Sequence, residues 1–452
     1  MHREISALWG KKKVVLRQTA RAVTPFGGLS VFIEFLQKIG YGKEVREHLP
    51  VHLKSPNAID PAQTYTAFLI SVLVGARRFA HTSLLRADRA LHAVLGMKRF
   101  PTDGTIRNLF KRFTQGMVVG MYEPLWAWQV GRLPKPAGGY SLDLDSTVFE
   151  RYGKQEGVKR GYNPRKPGRG SHHPLLAVLG EAHFILHGWL RSGNTTAGRG
   201  VVEFLKEALV KLESLKWVRV VRADSGFFAQ ELLQYLESQE LRYIVVARMT
   251  SWLKREAARV QEWRALDEIY SVGEFHLQLF GWDQARRFVV VREQLQETKR
   301  SPGRKLLEIP GYTFRAFVTN LADPPEEIWR DYNQRACIEQ RSEELKSDLA
   351  ADDFCLKEFF ATEAAFLGIL MLFNLLGEFQ RASGMTRYRQ PASLRAQVFL
   401  CGAILGRAGH RTVLHLSAAW GGLEKRNSLF DKLLHYEIPT SRKLESQPCA
   451  TG

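Results

Sequence analysis

The chain has 452 residues, of which 45% are hydrophobic and 11% aromatic, and its formal net charge at pH 7 is +19. This length and apolar content exclude a disordered or fibrous chain and predict a folded protein of two or three domains. The excess of cations favours a polyanionic partner, of which nucleic acid is the commonest large example. A membrane surface is not expected as the partner, because we find no long basic amphipathic helix and no polybasic cluster beside a lipid anchor.

Residues 1–25 are basic and lack the apolar stretch of a signal peptide, so we expect a loosely ordered segment and a cytoplasmic location. The four cysteines are scattered along the chain without a CxxC pair: Cys337, Cys355, Cys401 and Cys449. This scatter disfavours a zinc cluster or a disulfide framework and is typical of a reducing cytosol.

Apolar periodicity predicts helices over most of residues 28–130. In RFPTDGTIRNLFKRF (99–113), Thr102 or Asp103 is a candidate N-cap for a helix with a basic face, formed by Arg107, Lys111 and Arg112. This segment is either a helix-turn-helix-like element that reads DNA or part of an ordinary helical bundle. We assign residues 1–135 to a helical DNA-binding region.

The pattern changes to alternating apolar and polar residues at GGYSLDLDSTVF (138–149), which is typical of a strand. From there to residue 249 the predicted order is β-β-β-α-β-α-β. Three strands in a meander followed by βα units predict a mixed sheet flanked by helices. We assign residues 138–249 to the first part of an α/β catalytic core.

Residues 250–311 interrupt this alternation with predicted antiparallel strands, which we interpret as a β-rich insertion. The core resumes over residues 312–385, and residues 386–452 form a C-terminal region. The most apolar run, AAFLGILMLFNLLG (364–377), is too short to span a bilayer and contains Asn374, so it predicts a buried core helix.

Aspartates occur at two places in the predicted sheet where a buried carboxylate would need a binding partner. Asp143 and Asp145 are two residues apart on one strand and therefore share a face. In VRVVRADSGF (218–227), Asp224 directly follows an apolar strand and precedes Ser-Gly. An unpaired carboxylate at the end of a buried strand is unfavourable, so Asp224 either caps the following turn or binds a metal ion.

The segment YNQRACIEQRSEELK, residues 332–346, carries further polar residues at helical spacing. At 100° per residue, Tyr332, Arg335, Glu339 and Lys346 fall within a sector of about 60°. This face is either an ordinary solvated surface with i,i+4 ion pairs or a functional ridge.

Two strand-borne aspartates and one helix-borne glutamate are the oxygen ligands that Mg²⁺ or Mn²⁺ prefers. Two such ions about 4 Å apart can act on both the attacking and the leaving oxygen of a phosphodiester. In that arrangement Glu339 completes the metal site, while Tyr332, Arg335 and Lys346 donate to phosphate oxygens. Glu343 lies on the same ridge and either supports the metal site or pairs with one of these cations.

The Gly/Pro-rich link KQEGVKRGYNPRKPGRGSHH (154–173) concentrates cations beyond an average loop: Lys154, Lys159, Arg160, Arg165, Lys166 and Arg169. We interpret this cluster as a DNA-backbone contact near the active site, and the alternative is a solvated, flexible hairpin tip. The adjacent His172 and His173 have no partner at ligand spacing, which disfavours a metal role.

The sheet order and the Asp…Asp…Glu series resemble the DDE transposases of bacterial insertion sequences, whose catalytic core is ribonuclease-H-like. One large branch carries the signature Tyr-x₂-Arg-x₃-Glu-x₆-Lys, and Tyr332, Arg335, Glu339 and Lys346 match every spacing. The segments DSTVFERYGKQEGVKRGYN and RADSGF also resemble this branch, which typically has a β-rich insertion before the Glu. The resemblance covers residues 138–385 well and the helical N-terminal region loosely.

This resemblance implies an enzyme with Asp145, Asp224 and Glu339 as catalytic metal ligands and two Mg²⁺ or Mn²⁺ ions as cofactors. Asp143 either supports the metal ligands without contacting the metal or is itself the ligand in place of Asp145. The implied reaction is cut-and-paste transposition, in which the freed 3′-OH attacks the opposite strand or target DNA. The implied assembly is a homodimer on terminal inverted repeats and target DNA, associated with the bacterial nucleoid.

Two alternatives remain open: an endonuclease on the same core that cuts without joining strands, and a catalytically inactive DNA-binding descendant.

Aromatic residues in or beside the insertion are candidates either for stacking a flipped base, as related enzymes do, or for the core. These residues are Trp252, Trp263, Trp282, Tyr312 and Phe314.

Overall fold

The computed structural model describes residues 3–134, 137–163, 166–212, 214–294, 312–419, 428–429, 431–433 and 435–436, without the side chains of 3, 216 and 336–339. The described chain mixes helices and strands, as the sequence predicts.

The N-terminal part contains three short strands and then seven helices. They are β1 (Arg3–Ser6), β2 (Lys13–Leu16), β3 (Val23–Thr24), α1 (Leu29–Lys38), α2 (Tyr41–His48), α3 (Pro61–Leu73), α4 (Phe79–Thr82), α5 (Arg89–Val94), α6 (Asp103–Phe110) and α7 (Gln115–Val130). The expectation of a loosely ordered start is wrong for residues 3–16, where β1 and β2 pair as an antiparallel hairpin. The N-cap of α6 is Thr102, whose hydroxyl accepts from the Thr105 N–H.

The middle of the chain follows the predicted order of strands and helices. Its elements are β4 (Tyr140–Ser146), β5 (Phe149–Glu150), β6 (Lys159–Arg160), β7 (Gly170–His172), β8 (Leu175–Leu179), β9 (Phe184–Trp189), α8 (Val201–Val210), β10 (Val218–Ala223), α9 (Gln230–Ser238) and β11 (Tyr243–Val246). The meander is β4, β8 and β9, and the two βα units supply β10 and β11. Strands β5, β7 and β6 form a small separate sheet.

The remaining elements complete the main sheet and add a C-terminal hairpin. They are α10 (Ser251–Arg259), β12 (Arg264–Ala265), β13 (Tyr270–Leu277), β14 (Arg286–Gln294), β15 (Tyr312–Thr319), α11 (Pro325–Asn333), α12 (Ala336–Glu343), α13 (Phe359–Ala382), α14 (Pro391–Leu394), β16 (Ala403–Ala408) and β17 (Arg411–Leu416). Strand β3 pairs with β16, so the N-terminal segment is joined to the C-terminal region.

Within the described residues, the main sheet has nine strands in the order β12-β13-β14-β15-β11-β10-β4-β8-β9. Its central strands β4, β10 and β11 are parallel, and the pairs on either side of them are antiparallel. Strands β12 to β14, from the segment interpreted as an insertion, continue the same sheet beyond β15. The carboxyl ends of β4 and β10 are therefore neighbours at one edge, where open α/β sheets place their ligands.

Helix α13 is the central element of the core. It is long and apolar enough to cross a membrane by length and composition, but 83% of its most apolar window is buried inside the protein, as in a core helix. Asn374 on this helix accepts from the Ile185 N–H at 2.7 Å and donates to the Ile185 carbonyl at 3.0 Å. The amide thus satisfies backbone groups of the edge strand β9, which explains a polar residue in an apolar helix.

The N-terminal helices share a continuous core with α13 and the sheet. Trp126 of α7 donates its indole N–H to the Ile185 carbonyl at 3.0 Å, and Gln129 donates to the Met371 carbonyl at 3.1 Å. Helix α6, predicted as a possible DNA-reading helix, packs against α3, α4 and α13 through Ile106 and Phe110. The helical region is therefore a layer on the core.

Glu363 of α13 gives the fold a pH dependence. Burial raises its pKa from 4.5 to about 7, against a backbone hydrogen bond from Leu190 that lowers it. The folded protein then keeps this proton up to about pH 7, whereas the unfolded chain loses it near pH 4.5, so stability falls between these values. We expect Glu363→Gln to raise the free energy of unfolding by about 2–3 kcal/mol at pH 8 and to leave it unchanged at pH 4.

Urea unfolding at both pH values measures this effect. Replacing the exposed Glu268 by Gln is the matched control and should shift neither value. An equal gain from Glu363→Gln at pH 4 and pH 8 would contradict a buried carboxyl that titrates near neutrality.

Candidate active site

Asp145 and Asp224 lie side by side at the ends of two neighbouring strands. The parallel register of β4 and β10 pairs Leu144 with Ala223, and the next residue on each strand is the aspartate. The charge of Asp224 contributes to the raised pKa of Asp145, as expected for two carboxylates in close proximity. The structure therefore brings these two sequence-predicted residues together.

The Asp145 carboxylate is buried and held from helix α12 and the turn before it. Arg335 donates from Nη2 to the Leu144 carbonyl at 2.8 Å and to Asp145 Oδ1 at 3.4 Å. The Ser342 hydroxyl donates to Asp145 Oδ2. Burial raises the pKa of Asp145, while Arg335 and Ser342 lower it by stabilising the charged form.

Asp224 caps the turn that follows β10. Its Oδ1 accepts from the Gly226 N–H at 2.7 Å, at the start of the 3₁₀ turn Ser225–Phe227. The capping role that the sequence left open is therefore present. Asp224 also lines the large cleft at this edge of the sheet, so capping does not withdraw it from the site.

Asp143 is engaged in a buried ion pair. Arg222, its cross-strand neighbour, donates from Nε to Asp143 Oδ1 at 2.6 Å and from Nη2 to Oδ2 at 2.8 Å. Arg222 also contacts Asp331, which pairs in turn with Arg219. Both oxygens of Asp143 are thus bound to a guanidinium, and this favours Asp145 as the residue that faces a ligand.

The segment of residues 332–346, predicted as one helix, is divided, and this expectation is wrong. Helix α11 ends at Asn333, α12 begins at Ala336, and a π turn follows at Glu344–Asp348. The break coincides with Arg335, whose side chain turns inward onto β4 and is 4% exposed. π turns are frequent at functional sites, and Lys346 in this turn lines the cleft.

The side chains of the predicted ridge consequently lie in different environments. Tyr332 is buried against Phe317, with 4.7 Å between ring centroids, so little of its surface is left for a phosphate. Lys346 lines the cleft together with Asp224. Glu343 is exposed and accepts from the Ser347 hydroxyl, away from the paired aspartates.

Two predicted residues cannot be placed. The side chain of Glu339 lies outside the described residues, although helix α12 spans its position. Arg165 also lies outside the described residues. Among the side chains that the structure describes, no group of three His, Cys, Asp or Glu could hold a metal ion. The described carboxylates of Asp145 and Asp224 are an oxygen pair of the kind Mg²⁺ or Mn²⁺ prefers.

A cleft of about 1,090 Å³ is lined by Asp224 and by Ser146, the residue that follows the buried Asp145. Cations line much of it, and acidic residues lie among them. The cationic residues are Arg78, Arg151, Lys166, Arg248 and Lys346, and the acidic residues are Glu150, Asp224, Asp352 and Asp353. The five cations offer a phosphodiester backbone contacts within this concave surface, which they share with four carboxylates.

Two strands of the basic link, β6 and β7, pair with β5 in a small sheet. The exposed Lys166 of this link donates from Nζ to Glu150 at 2.9 Å and to the Tyr152 hydroxyl at 3.2 Å. The Arg169 guanidinium lies 4.5 Å from the centroid of the Tyr152 ring. Lys166 and Arg169 thus converge on one exposed tyrosine at the cleft.

The adjacent histidines are buried and neutral. Arg151 donates from Nε to His172 Nδ1 at 3.1 Å, and His172 Nε2 donates to the Glu156 carbonyl at 2.8 Å. Burial lowers the pKa of His172 to about 4. His173 Nδ1 contacts the Thr195 carbonyl at 2.6 Å. Both ring nitrogens of His172 are thus engaged in hydrogen bonds within the protein.

The aromatic residues of the predicted insertion pack mainly with other side chains. Trp263 lies under the Arg292 guanidinium at 4.2 Å, and Trp282 stacks on Phe288 with 6.1 Å between centroids. Tyr152 and Tyr162 line the cleft and are exposed, and neither was predicted from the sequence. Tyr162 lies within the basic link and Tyr152 lies two residues before it, and this was the available signal, because aromatic rings between cations are typical of nucleic-acid contacts.

Ser342 was also missed, although it lies three residues after Glu339 and so belongs to the same helical face. No sequence pattern marks such a serine before the partner strand is known.

Comparison with known proteins adds one family assignment and one structural likeness. The family model described as "Transposase DDE domain group 1" matches residues 6–437. Among solved structures, the chain resembles a piggyBac transposase synaptic complex with hairpin DNA, determined by cryo-EM, at 11% sequence identity. That alignment has a TM-score of 0.47 and covers 84% of this chain and 82% of the other. No curated protein matches the sequence.

Proposed function

The chain belongs to the transposase DDE domain family, group 1, and we propose that it is an insertion-sequence transposase that works by cut-and-paste. In this proposal it cleaves DNA at the element ends and transfers the freed 3′-OH into target DNA. The substrates are terminal inverted repeats and target duplex, bound by a homodimer in the bacterial cytoplasm at the nucleoid.

The observation that carries this proposal is the pairing of Asp145 and Asp224 at adjacent strand ends, beside a cation-lined cleft. These two carboxylates would hold Mg²⁺ or Mn²⁺, most simply as two ions. When bound, the ions supply activation of the attacking oxygen and stabilisation of the leaving oxygen. Arg335 and Ser342 fix the orientation of the Asp145 carboxylate and stabilise its charged form against burial, which raises its pKa.

We assign Glu339 as the third carboxylate. Arg335 precedes it by four residues and Ser342 follows it by three, and both contact Asp145. Positions i−4 and i+3 share a face with position i on a helix, so this face of α12 is turned toward β4. The contacts of its neighbours therefore support a place for Glu339 beside the two aspartates.

We assign the five strands β9-β8-β4-β10-β11 to a ribonuclease-H-like core. A meander followed by two βα units supports this assignment, with both aspartates on its parallel strands. The Tyr332, Arg335, Glu339 and Lys346 spacing supports the branch that carries this signature. The burial of Tyr332 and Arg335 supports a role for both in packing and positioning.

Lys346 is the signature cation that lines the cleft. We expect Lys346→Ala to weaken DNA binding and to lower the slope of log affinity against log salt by about one, because one phosphate contact is lost. Fluorescence anisotropy over a series of salt concentrations measures both quantities. Lys254→Ala, a cation outside the cleft, is the control, and an unchanged slope for Lys346→Ala would place its ammonium away from DNA.

Strand transfer tests the proposed function. The protein is incubated with Mg²⁺ or Mn²⁺, a pre-cut duplex carrying the element end, and supercoiled plasmid. Covalent joining of the labelled 3′ end to plasmid is the expected product. Cleavage of an uncut end without any joining would support an endonuclease instead, and binding without cleavage would support an inactive DNA-binding descendant.

A further inference from the structure

Two tyrosine rings at the cleft are largely exposed to solvent. Tyr152 is 73% exposed and Tyr162 is 70% exposed. Both line the cleft that also contains Asp224 and Lys346. Exposed aromatic rings beside a reactive centre point to a ligand that covers them.

The Tyr152 ring is held in place by charged neighbours. Its hydroxyl accepts from Lys166 Nζ at 3.2 Å, and Lys166 is itself paired with Glu150 at 2.9 Å. The Arg169 guanidinium lies 4.5 Å from the ring centroid. These contacts orient the ring at low entropic cost, while most of its surface stays open to the cleft.

The chemistry of this patch selects a nucleotide base. An aromatic face stacks on any base, and neighbouring cations neutralise the adjoining phosphates. Bases inside a duplex are already stacked on each other, so only an unpaired or extruded base can cover such a ring. An acidic protein segment would satisfy the cations but would leave the rings without a planar partner.

We propose that Tyr152 and Tyr162, supported by Arg169 and Lys166, form a stacking site for unpaired bases next to the phosphodiester that is cut. The inference rests on the proposed function, since it places the DNA strand in the cleft beside Asp224. It assigns to the basic link a role in holding a melted DNA end, in addition to phosphate contact.

The test uses the full-length protein in EDTA, so that binding is measured without turnover. Anisotropy compares a blunt duplex, a duplex with a short 3′ single-stranded tail, and the same tailed duplex with abasic sites in the tail. We expect Tyr152→Ala to bind the tailed duplex about 5- to 100-fold more weakly than wild type, and the abasic tail with no further loss. Tyr152→Phe should bind like wild type, because the ring is retained.

Phe280 supplies a matched control, since it is 97% exposed at the turn between β13 and β14 and does not line the cleft. Phe280→Ala should leave all three affinities unchanged. Additive losses from Tyr152→Ala and the abasic tail would overturn the stacking site, because stacked groups must show coupling. Wild-type affinity of Tyr152→Ala for the tailed duplex would also overturn it.

These outcomes separate the inference from the proposed function. If the wild-type protein nicks and joins DNA while Tyr152→Ala shows no tail-dependent loss, only the stacking site is wrong. If the wild-type protein neither binds nor cuts element-end DNA, the proposed function fails first, and the stacking site falls with it.

Discussion

Asp224→Asn is expected to lower the rate of DNA nicking by about 10³-fold or more while leaving DNA affinity near that of the wild type. Removing the carboxylate charge weakens the binding of a metal ion by this oxygen, and stabilisation of the transition state by a bound metal amounts to several kcal/mol. Asparagine is the informative replacement, because its side-chain oxygen can still accept from the Gly226 N–H and cap the turn. A loss of activity would therefore report on the missing charge and not on a disordered turn.

Asp145→Asn is expected to have an effect of the same size. Its side-chain oxygen can still accept from Arg335 or Ser342, so helix α12 keeps part of its attachment to β4. Nicking of supercoiled plasmid in Mg²⁺ and in Mn²⁺ measures the rate, and anisotropy in EDTA measures binding. Glu339→Gln belongs to the same series, since it tests the third carboxylate by its charge alone.

Asp353→Asn is the matched control for this series. Asp353 lines the same cleft, but its carboxylate is paired with Arg77 at 3.0 Å, near the surface. We expect this variant to nick within about tenfold of the wild type, because exposed ion pairs contribute little. A nicking rate close to wild type in either Asp145→Asn or Asp224→Asn would remove the paired aspartates from the reaction.

The order of strands and helices in the core could be predicted from the sequence because it depends on local periodicity. Alternation marked β4, and amphipathic spacing marked α8 and α9. The hairpin of residues 3–16 was missed, since its large apolar residues are exposed and are interrupted by three consecutive lysines. Such a strand pair leaves almost no burial signal in the sequence.

The geometry of the helix that carries Glu339 could not be predicted by spacing alone. A helical wheel assumes an unbroken helix, whereas the chain breaks between α11 and α12 and then widens into a π turn. The break is fixed by tertiary contacts, above all the bond from Arg335 to the Leu144 carbonyl. Predicting this break requires knowing the position of β4, which lies almost 200 residues earlier in the chain.

The choice between Asp143 and Asp145 was likewise a tertiary question. The sequence places both aspartates on one face of a strand, and nothing within that strand indicates which of them is the ligand. The parallel register puts Arg222 directly opposite Asp143, and the guanidinium then binds both carboxylate oxygens. One cross-strand pair thus distinguishes a residue that holds the sheet together from a residue that faces the site.

Arg222→Met is expected to lower the free energy of unfolding by about 3–5 kcal/mol, because it leaves the Asp143 carboxylate buried without a cation. The side chains of Arg222 and Asp143 are 3% and 1% exposed, so water cannot replace the lost partner. The double variant Arg222→Met, Asp143→Asn should lose less than the Arg222 single variant, since it removes the stranded charge. Urea unfolding of the wild type, both single variants and the double variant measures the coupling between the two residues.

The same variants decide which aspartate serves the reaction. Asp143→Asn breaks a charge pair inside the sheet but leaves Asp145, Arg335 and Ser342 in place, so folded protein should nick DNA within about tenfold of wild type. Asp145→Asn should show the reverse pattern, with little change in unfolding and a large loss of nicking. An Asp143→Asn variant that unfolds like the wild type and no longer nicks would transfer the ligand role to Asp143, and the contacts of Arg222 would then need a catalytic explanation.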